Sequence, residues 1–480
     1  MKFLLGFSSL IWLCALTAFA QSPVTLSVDT QSHGFAVPSD FAGLSFETWA
    51  ELTNHNDVSG CLFSPTNAEL ITLFTNSGIR NLRLGGGTVD GAKAKIPDWY
   101  DIDNVFGFAR AADIKVIYSL PLLDGNATND AATAKYIWTH YRPYLDCFSI
   151  GNEPNEPPYS MAKTNAIKTY HAYLAAWRHF ATVITNAVPG AKFTGPEAGG
   201  YDWVVKFAKN ERRSGMVVLI TQHQYAGGDP FVNHGHDAMP APVEIKRMLS
   251  RNWLTKNYPP FYEKTLRPVE ALGFVDRMTE ADDILHGVTN ASDAFASALW
   301  ALDYMHWWAA RGLAGVNFHN NEWFRTDTVY LDKSSHEYKI NPKAYAIRAF
   351  DLGSEGWEEP VDVGNSGGLN LTAYAIGDAT HLCVTIINKE HSENARAAAV
   401  TIAAKDFPWR SAQVMFLTAA NGDAGATNGI TLGGAPITNN APWHGVWMAL
   451  KPASDQQCTL IVPATSAAVV KLSAELNPAF

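Results

Sequence analysis

Residues 149–155 read Ser-Ile-Gly-Asn-Glu-Pro-Asn and directly follow the largely apolar run Tyr144–Phe148. The run predicts a buried strand, and the Asn-Glu pair would stand at its carboxyl end. In an α/β barrel that end of the strands faces the active site. A glutamate held there, with an amide beside it and a proline turning the chain away, suits a general acid that protonates a glycosidic oxygen. A surface turn is the alternative interpretation, because Asn, Glu and Pro are all common in turns.

Short apolar segments alternate with helical patterns from about residue 38 to residue 350, as repeated strand and helix units should. They are Gly43–Phe46, Asn81–Leu84, Val116–Leu120, Cys147–Ile150, Lys192–Thr194, Val217–Gln222, Val275–Thr279 and Gly315–Phe318. Eight such strands close a (β/α)8 barrel. The sequence therefore predicts an α/β fold with a TIM barrel over residues 38–350.

The pattern changes after residue 350 to alternating strands separated by Gly, Asn and Asp turns. This pattern is typical of an antiparallel β-sandwich, which we expect over residues 351–480. Val24–Val28 alternates in the same way, although it precedes the barrel. We expect residues 21–37 to supply an N-terminal strand that joins the C-terminal sandwich.

Residues 1–20 combine Lys2, an apolar run and the small-residue site Ala18-Phe19-Ala20. They predict a signal peptide rather than a membrane anchor, because the apolar core is short for a spanning helix. The mature protein should therefore be secreted or periplasmic, with no membrane attachment. A net charge of −10 argues against a nucleic-acid partner, since no basic stripe is available to displace phosphate counterions.

Cys14 would leave with the signal peptide, so four cysteines remain: Cys61, Cys147, Cys383 and Cys458. Their spacing matches no metal or redox motif. Buried thiols and one or two disulfides are both open at this point.

A second glutamate stands in residues 275–281, which read Val-Asp-Arg-Met-Thr-Glu-Ala and contain the seventh strand candidate. Carboxylates on the fourth and seventh strands of one rim can lie about 5 to 5.5 Å apart, which is the spacing of a retaining glycosidase. Glu280 is then the predicted nucleophile. The alternative is a glutamate at a helix N-terminus after Thr279.

Polar residues also end other strand candidates. The hydroxyl of Tyr225, which follows His223 at the end of the sixth, could hydrogen-bond the nucleophile and keep it ionised. Glu47 ends the first candidate and could accept hydrogen bonds from sugar hydroxyls. Gly87 and Thr88 after the second candidate, His223 at the end of the sixth and His319 after the eighth are further candidate substrate-binding residues, and Arg83 also ends the second candidate. Each of them could equally serve packing.

His234 and His236 invite a metal site, but their loop offers no further ligands at convincing spacing. Because retaining glycosidases need no metal, we expect neither a metal nor an organic cofactor. Glu156, Glu197 and Glu322 also lie near strand ends. They are the carboxylates most easily mistaken for the catalytic pair.

These motifs together resemble the family 79 glycoside hydrolases. The resemblance rests on Gly-Leu-Ser-Phe-Glu at residue 43, Leu-Arg-Leu-Gly-Gly-Gly at residue 82 and the two glutamate motifs. That family includes β-glucuronidases and heparanase-like enzymes of a large retaining (β/α)8 clan. The resemblance implies that Glu153 is the acid/base, that Glu280 is the nucleophile and that Asn152 contacts the sugar 2-hydroxyl.

Family members also bind the uronate carboxylate with a tyrosine and glycine amides just after the nucleophile, and with a tyrosine after the eighth strand. In this sequence the tyrosine just after the nucleophile is missing. Gly287 could supply the glycine amide, and His286 could add another hydrogen-bond donor. Tyr330 is the tyrosine that follows the eighth strand. The resemblance implies a retaining exo-β-glucuronidase acting on β-glucuronides or glucuronate-containing glycans. The alternatives are a β-glucosidase, a β-xylosidase, an endo-acting glycosaminoglycan hydrolase and a non-catalytic carbohydrate-binding protein.

Overall fold

The computed structural model describes residues 23–55, 59–91, 94–156, 167–228, 239–320, 326–454 and 456–474. The predicted signal peptide lies outside these residues, as do His234, His236 and Glu322. The described chain begins with two strands that precede the barrel, β1 (Val24–Val28) and β2 (Ala36–Val37).

Eight parallel strands in the described residues close into a barrel. They are β3 (Ala42–Glu47), β4 (Asn81–Gly85), β5 (Lys115–Leu120), β6 (Leu145–Ile150), β7 (Phe193–Gly199), β8 (Val217–Tyr225), β9 (Asp276–Asp282) and β10 (Leu313–Asn320). Barrel strands read as apolar runs because both of their faces are covered. The predicted barrel is confirmed, with β7 and β9 running further than expected, so that Glu197 and Glu280 lie inside strands.

Helices follow the strands and cover the outside of the barrel. They are α1 (Ala68–Ser77), α2 (Trp99–Ala112), α3 (Ala127–Tyr141), α4 (Tyr170–Ala187), α5 (Asp202–Glu211), α6 (Ala241–Met248), α7 (Tyr258–Lys264), α8 (Leu266–Glu270), α9 (Phe295–Ala309) and α10 (Lys343–Gly353). Local signals set several of their ends. Asp98 and Asp101 form a capping box at the start of α2, and Gly78 ends α1 in the left-handed conformation.

The C-terminal region forms two antiparallel sheets after a small ribbon of β11 (Val329–Asp332) and β12 (Glu337–Ile340). The sheet strands are β13 (Gly356–Glu359), β14 (Val361–Gly364), β15 (Leu371–Gly377), β16 (His381–Asn388), β17 (Ala398–Ala403), β18 (Ser411–Thr418), β19 (Thr431–Leu432), β20 (Met448–Leu450), β21 (Pro452–Ser454), β22 (Gln457–Val462) and β23 (Ser466–Ser473). Their inward side chains form a separate apolar core. The predicted β-sandwich is therefore confirmed.

The N-terminal strand β1 lies between β14 and β17, antiparallel to the first and parallel to the second. Val24 and Leu26 point into the core of the sandwich and are buried. The expected pairing of Val24–Val28 with the C-terminal region is thus observed, and the sandwich uses both ends of the described chain.

Helix α9 joins the barrel to the sandwich, and every residue in it is buried. A helix that is apolar all round must be covered on all sides. Its one acidic side chain, Asp303, accepts hydrogen bonds from Thr372 and Tyr374 of β15 and pairs with Lys389 just after β16. A charged residue is tolerated at this interface because each of these partners compensates its burial.

His306 also lies at this interface and is buried against two aromatic rings. Its imidazole stacks on Tyr374, with ring centroids 5.1 Å apart and planes 8° from parallel, and contacts Phe350. Burial lowers the pKa of His306 from its ordinary value of 6.5 to about 3, and the charge of Asp303 opposes this only in part. The ring is therefore neutral at the interface.

We expect His306 to make the folded protein less stable in acid. The unfolded chain protonates this imidazole near pH 6.5, whereas the folded chain does so only near pH 3, so the free energy of unfolding falls as the pH falls through this window. Between about pH 7 and pH 4, the free energy of unfolding of wild-type protein should fall by about 3 kcal/mol more than that of His306→Phe. Urea unfolding at each pH measures this difference. His171→Phe, which changes an exposed imidazole, is the control. If the free energy of unfolding of His306→Phe fell with pH as steeply as that of wild type, the lowered pKa of His306 would be wrong.

Cys61, Cys147, Cys383 and Cys458 are all free and buried. Of the two alternatives that their spacing left open, the structure shows buried thiols rather than disulfides among these four cysteines. None of the helices in the described ranges has the length and apolar character that a membrane span requires.

Candidate active site

Polar side chains from most of the barrel strands meet at the carboxyl end of the barrel. They are Glu47 of β3, Arg83 of β4, Asn152 and Glu153 after β6, Glu197 of β7, His223 and Tyr225 of β8, Glu280 of β9 and His319 of β10. This is the face at which TIM-barrel enzymes carry out their chemistry. The sequence placed all of these residues near strand ends, and the structure brings them into one cluster.

Glu280 lies at the centre of the cluster and is held by two donors. The Tyr225 hydroxyl donates to Oε1 at 2.8 Å, and Arg83 Nη1 donates to Oε2 at 2.9 Å. Burial alone would raise the pKa of Glu280, but His319, His223 and Arg83 outweigh it and hold the pKa well below its usual range. Glu280 is therefore an ionised carboxylate with a fixed orientation, as a nucleophile requires.

Glu153 follows β6 in a left-handed backbone conformation, with φ of +44°. A residue with a side chain adopts this conformation at a cost, so it persists only where its surroundings impose it. Here the Glu153 amide donates to the carbonyl oxygen of Glu197 at 2.7 Å. The side chain remains 27% exposed, whereas that of Glu280 is 9% exposed. Glu153 is thus the more accessible carboxyl group of the two.

The two carboxylates face each other, and an oxygen of Glu153 lies within 4.8 Å of an oxygen of Glu280. A cavity of about 460 Å³ opens beside Glu153. Its lining includes Gly199, Gly200, Tyr225, Trp253 and Tyr258. This volume is in the range of small-molecule sites, so the cavity has room for a sugar ring beside Glu153.

Asn152 is fixed through both its backbone and its side chain. Its amide donates to Asp90 Oδ2 at 2.9 Å, and its side-chain oxygen accepts from Arg83 Nη2 at 2.6 Å. Asp90 Oδ1 also accepts from the amides of Leu122 and Leu123 after β5. Asp90 thereby ties the loops after β4, β5 and β6 together and holds the turn that presents Glu153.

Glu197 is a third carboxylate within the cluster and is completely buried. Its Oε2 accepts from Arg83 Nη2 at 3.0 Å and from Thr279 Oγ1 at 2.8 Å. Burial by itself would raise the pKa of Glu197, but Arg83 and His223 outweigh it and lower the pKa. Glu197 is therefore a buried anion that is fixed in place within the cluster.

His223 lies between the acid/base candidate and this buried carboxylate. Its Nδ1 is 2.9 Å from Glu153 Oε1, and its Nε2 is 3.0 Å from Glu197 Oε2. Burial would lower the pKa of His223, but the charge of Glu280 and the hydrogen bonds to Glu153 and Glu197 raise it to about 9. The ring is therefore an imidazolium at neutral pH.

Glu153, His223 and Glu280 also form a group that could offer three ligand atoms to a metal ion, all within 4.8 Å of one another. A histidine binds a metal through the lone pair of a neutral ring. Both ring nitrogens of His223 face carboxylate oxygens, and the imidazolium has no lone pair to offer. The chemistry of these donors fits a hydrogen-bonded ion cluster better than a metal centre.

Glu47 is held by the loop after β4. It accepts hydrogen bonds from the amide of Gly87 at 3.1 Å and from the amide and hydroxyl of Thr88 at 2.8 and 2.6 Å. At Gly86, whose φ is +71°, a Cβ would lie 2.5 Å from the Glu47 carboxyl group, so glycine is required there. In the structure, Gly87 and Thr88 thus support Glu47, which lies 3.8 Å from His319.

The residues expected around a uronate carboxylate lie in two separate segments. The Gly287 amide donates to the carbonyl oxygen of Ile284, which closes a turn after β9, and His286 is exposed. Tyr330 lies on β11 and is half-buried, and its pKa is raised by burial. Their predicted contacts with a substrate remain predictions.

No family model matches the sequence, and no curated protein is similar to it at a significant level. The fold, in contrast, is found in solved structures. A 4-O-α-L-rhamnosyl-β-D-glucuronidase from Fusarium oxysporum 12S matches with a TM-score of 0.70 and 16% identity over 93% of this chain and 99% of that one.

Two further similar structures cover 94% of this chain and 100% of their own. They are the GH51 arabinofuranosidase from Xanthomonas axonopodis pv. citri, with a TM-score of 0.63 and 13% identity, and a monomeric β-xylosidase from Caulobacter crescentus CB15, with a TM-score of 0.62 and 16% identity. All three proteins are glycoside hydrolases built on a TIM barrel. At these identities the comparison establishes the shared fold.

Proposed function

We propose that this protein is a retaining β-glycosidase in which Glu280 is the nucleophile and Glu153 is the acid/base. The observation that carries the proposal is the short separation of the two carboxylates, with oxygens within 4.8 Å. Inverting enzymes hold their carboxyl groups about 6.5 to 9.5 Å apart to leave room for a water molecule. The two environments also differ as the roles require, since Glu280 is buried among cations and Glu153 borders the cavity.

In the first step, a carboxylate oxygen of Glu280 attacks the anomeric carbon and forms a glycosyl ester, and the bond to the leaving oxygen breaks. Glu153 gives its proton to that oxygen, so the leaving group departs as a neutral alcohol. Tyr225 and Arg83 each hold one oxygen of Glu280 and thereby keep the carboxylate aimed during the attack.

In the second step, Glu153 takes a proton from a water molecule, which attacks the anomeric carbon and releases Glu280. Two inversions at the same carbon leave its configuration unchanged. Arg83 remains paired with Glu197 when Glu280 is esterified, so this buried cation is never left without an anion.

For the glycone we propose β-glucuronate, which the exported protein releases from glycosides or polysaccharide ends. The family 79 resemblance supports this glycone, the predicted signal peptide supports export, and the similar Fusarium structure is a 4-O-α-L-rhamnosyl-β-D-glucuronidase. A neutral glycone, as in a β-glucosidase or β-xylosidase, is the second candidate. It is favoured by the turn in which the Gly287 amide is already hydrogen-bonded to Ile284.

A panel of 4-nitrophenyl β-glycosides tests both the proposed glycone and the retaining mechanism. We expect the glucuronide to be hydrolysed faster than the glucoside or the xyloside, with the β-anomer appearing first in proton NMR spectra of the reaction. Faster hydrolysis of the glucoside or xyloside would contradict the glucuronate assignment. Initial release of the α-anomer would contradict the retaining mechanism.

We expect His286→Ala and Tyr330→Phe to narrow the preference for glucuronide over glucoside. A buried carboxylate needs charge-assisted or multiple hydrogen bonds, and these side chains are the proposed donors. Each loss should reduce the ratio of the two specificity constants by roughly 5- to 150-fold, which corresponds to about 1 to 3 kcal/mol. Tyr136→Phe is a matched control, because that hydroxyl donates to Asp103 between the outer helices α3 and α2. An unchanged ratio in both variants would remove these residues from the proposed pocket.

A further inference from the structure

His223 has a carboxylate oxygen at hydrogen-bond distance from each of its ring nitrogens. Glu153 Oε1 lies 2.9 Å from Nδ1, and Glu197 Oε2 lies 3.0 Å from Nε2. Glu280 also faces Nδ1, at 3.8 Å, and Arg83 pairs with both Glu197 and Glu280. The imidazole is thus surrounded by carboxylates, two of which also pair with Arg83.

The number of protons on this ring decides which way its hydrogen bonds run. A neutral imidazole has one N–H group, so it can donate to only one of the two carboxylates. If that donor were Nε2, then Nδ1 would accept, and a protonated Glu153 would direct its proton from Oε1 toward His223. A doubly protonated ring donates in both directions, so the proton of Glu153 must reside on Oε2.

We propose that Glu197 is a positioning residue that keeps His223 doubly protonated, so that Glu153 carries its proton on the oxygen that can face the leaving group. This inference rests on the proposed function and assigns a role to a carboxylate that takes no part in the bond changes. The side chain of Glu197 is fully buried and fixed by Arg83 and Thr279, so its distance to His223 is set by the barrel.

Glu197 suits this role better than Glu280 because its charge persists. Glu280 becomes a neutral ester in the glycosyl-enzyme, whereas Glu197 stays an anion at Nε2 in both steps. His223 can therefore keep donating to Glu153 Oε1 while Oε2 accepts the proton of the attacking water. Both proton transfers then use the same oxygen of Glu153.

Nitrogen-15 NMR of the imidazole rings tests the protonation state of His223 without any substrate. Among the 15 histidines, the signals of His223 are those missing from His223→Gln. In wild-type protein at pH 7 both ring nitrogens should be protonated. In Glu197→Gln, which preserves the shape and removes the charge, the ring should lose one proton at a lower pH than in wild type. Glu211→Gln, a buried carboxylate paired with Arg178 on the outer helices, should leave these signals unchanged.

Kinetics with two leaving groups tests the consequence for Glu153. In Glu197→Gln, kcat/KM should fall roughly 10- to 100-fold for a poor alkoxide leaving group, a part of the 100- to 10,000-fold that general acid catalysis contributes. It should fall far less for a 2,4-dinitrophenyl glycoside, whose departure needs no proton. An equal loss for both substrates would indicate a purely structural role and overturn the proposal.

A singly protonated His223 ring in wild-type protein at pH 7 would also overturn the proposal, and this result does not depend on whether Glu197→Gln folds. If wild-type protein hydrolyses no glycoside at all, the proposed function fails while the NMR result still decides the relation between Glu197 and His223. The proposed glycosidase function and the proposed role of Glu197 can therefore be rejected independently of each other.

Discussion

Glu280→Ala should lower kcat/KM for an aryl β-glycoside by on the order of 10⁵-fold or more, as removal of a covalent nucleophile does in other hydrolases. The variant lacks the only group that can form the glycosyl ester in this mechanism. Tyr225 and Arg83 would then point at an empty position, and neither can replace a carboxylate. Glu156→Ala is the matched control, because this exposed carboxylate lies three residues from Glu153 and should be dispensable.

Azide distinguishes the two catalytic roles. Added to Glu280→Ala, azide should occupy the place of the lost carboxylate and yield an α-glycosyl azide from a β-glycoside. Added to Glu153→Ala with an activated leaving group, it should attack the intact glycosyl ester and yield the β-glycosyl azide. Products with the opposite configurations would mean that the roles of Glu153 and Glu280 are exchanged.

Arg83→Met should destabilise the folded protein by about 3 to 5 kcal/mol, because it leaves buried carboxylates without their cation. Arg83 is fully buried and bonded to Glu197, Glu280 and Asn152. Chemical denaturation at pH 7 measures the loss. Arg267→Met is the control, since its side chain is 63% exposed and a salt bridge in solvent, such as its pair with Glu263, contributes little to stability.

The effect of Arg83→Met should depend on pH in one direction. Arg83 helps to lower the pKa values of Glu197 and Glu280 in the folded state, so its stabilising effect is complete above the unfolded value of 4.5 and is lost as the pH falls below it. The difference in the free energy of unfolding between wild type and Arg83→Met should therefore become smaller as the pH falls. A difference that is small at pH 7, or that grows as the pH falls, would contradict the arrangement of charges described above.

The barrel and the positions of Glu153 and Glu280 at its carboxyl end were predictable because each depends on local patterns. The continuous apolar runs marked the eight strands, and Glu153 and Glu280 followed from their positions relative to two of these runs. Glu197 was harder, since Gly195 and Pro196 interrupt the apolar run that precedes it, and proline is unusual inside a strand. The pattern therefore ended this strand at Thr194, whereas β7 continues to Gly199.

The supporting contacts could not be read from the sequence because they join residues far apart in the chain. Gly87 and Thr88 were candidates for substrate contact, and no sequence pattern indicated that their amides donate hydrogen bonds to Glu47. Asp90 carries no sequence signal, yet it fixes the turn before Glu153. Both cases are tertiary contacts between residues far apart in the sequence, which no local pattern encodes.

Trapping the covalent intermediate tests the central claim most directly. A 2-deoxy-2-fluoro-β-glucuronosyl fluoride should react once and leave a stable ester, because the fluorine at C2 slows both steps while the fluoride leaving group speeds only the first. Mass spectrometry of a peptide digest should then place one sugar on Glu280. A sugar on Glu153 or Glu197, or a reagent that is turned over with no covalent adduct under any condition, would contradict the assignment of Glu280 as the nucleophile of a retaining glycosidase.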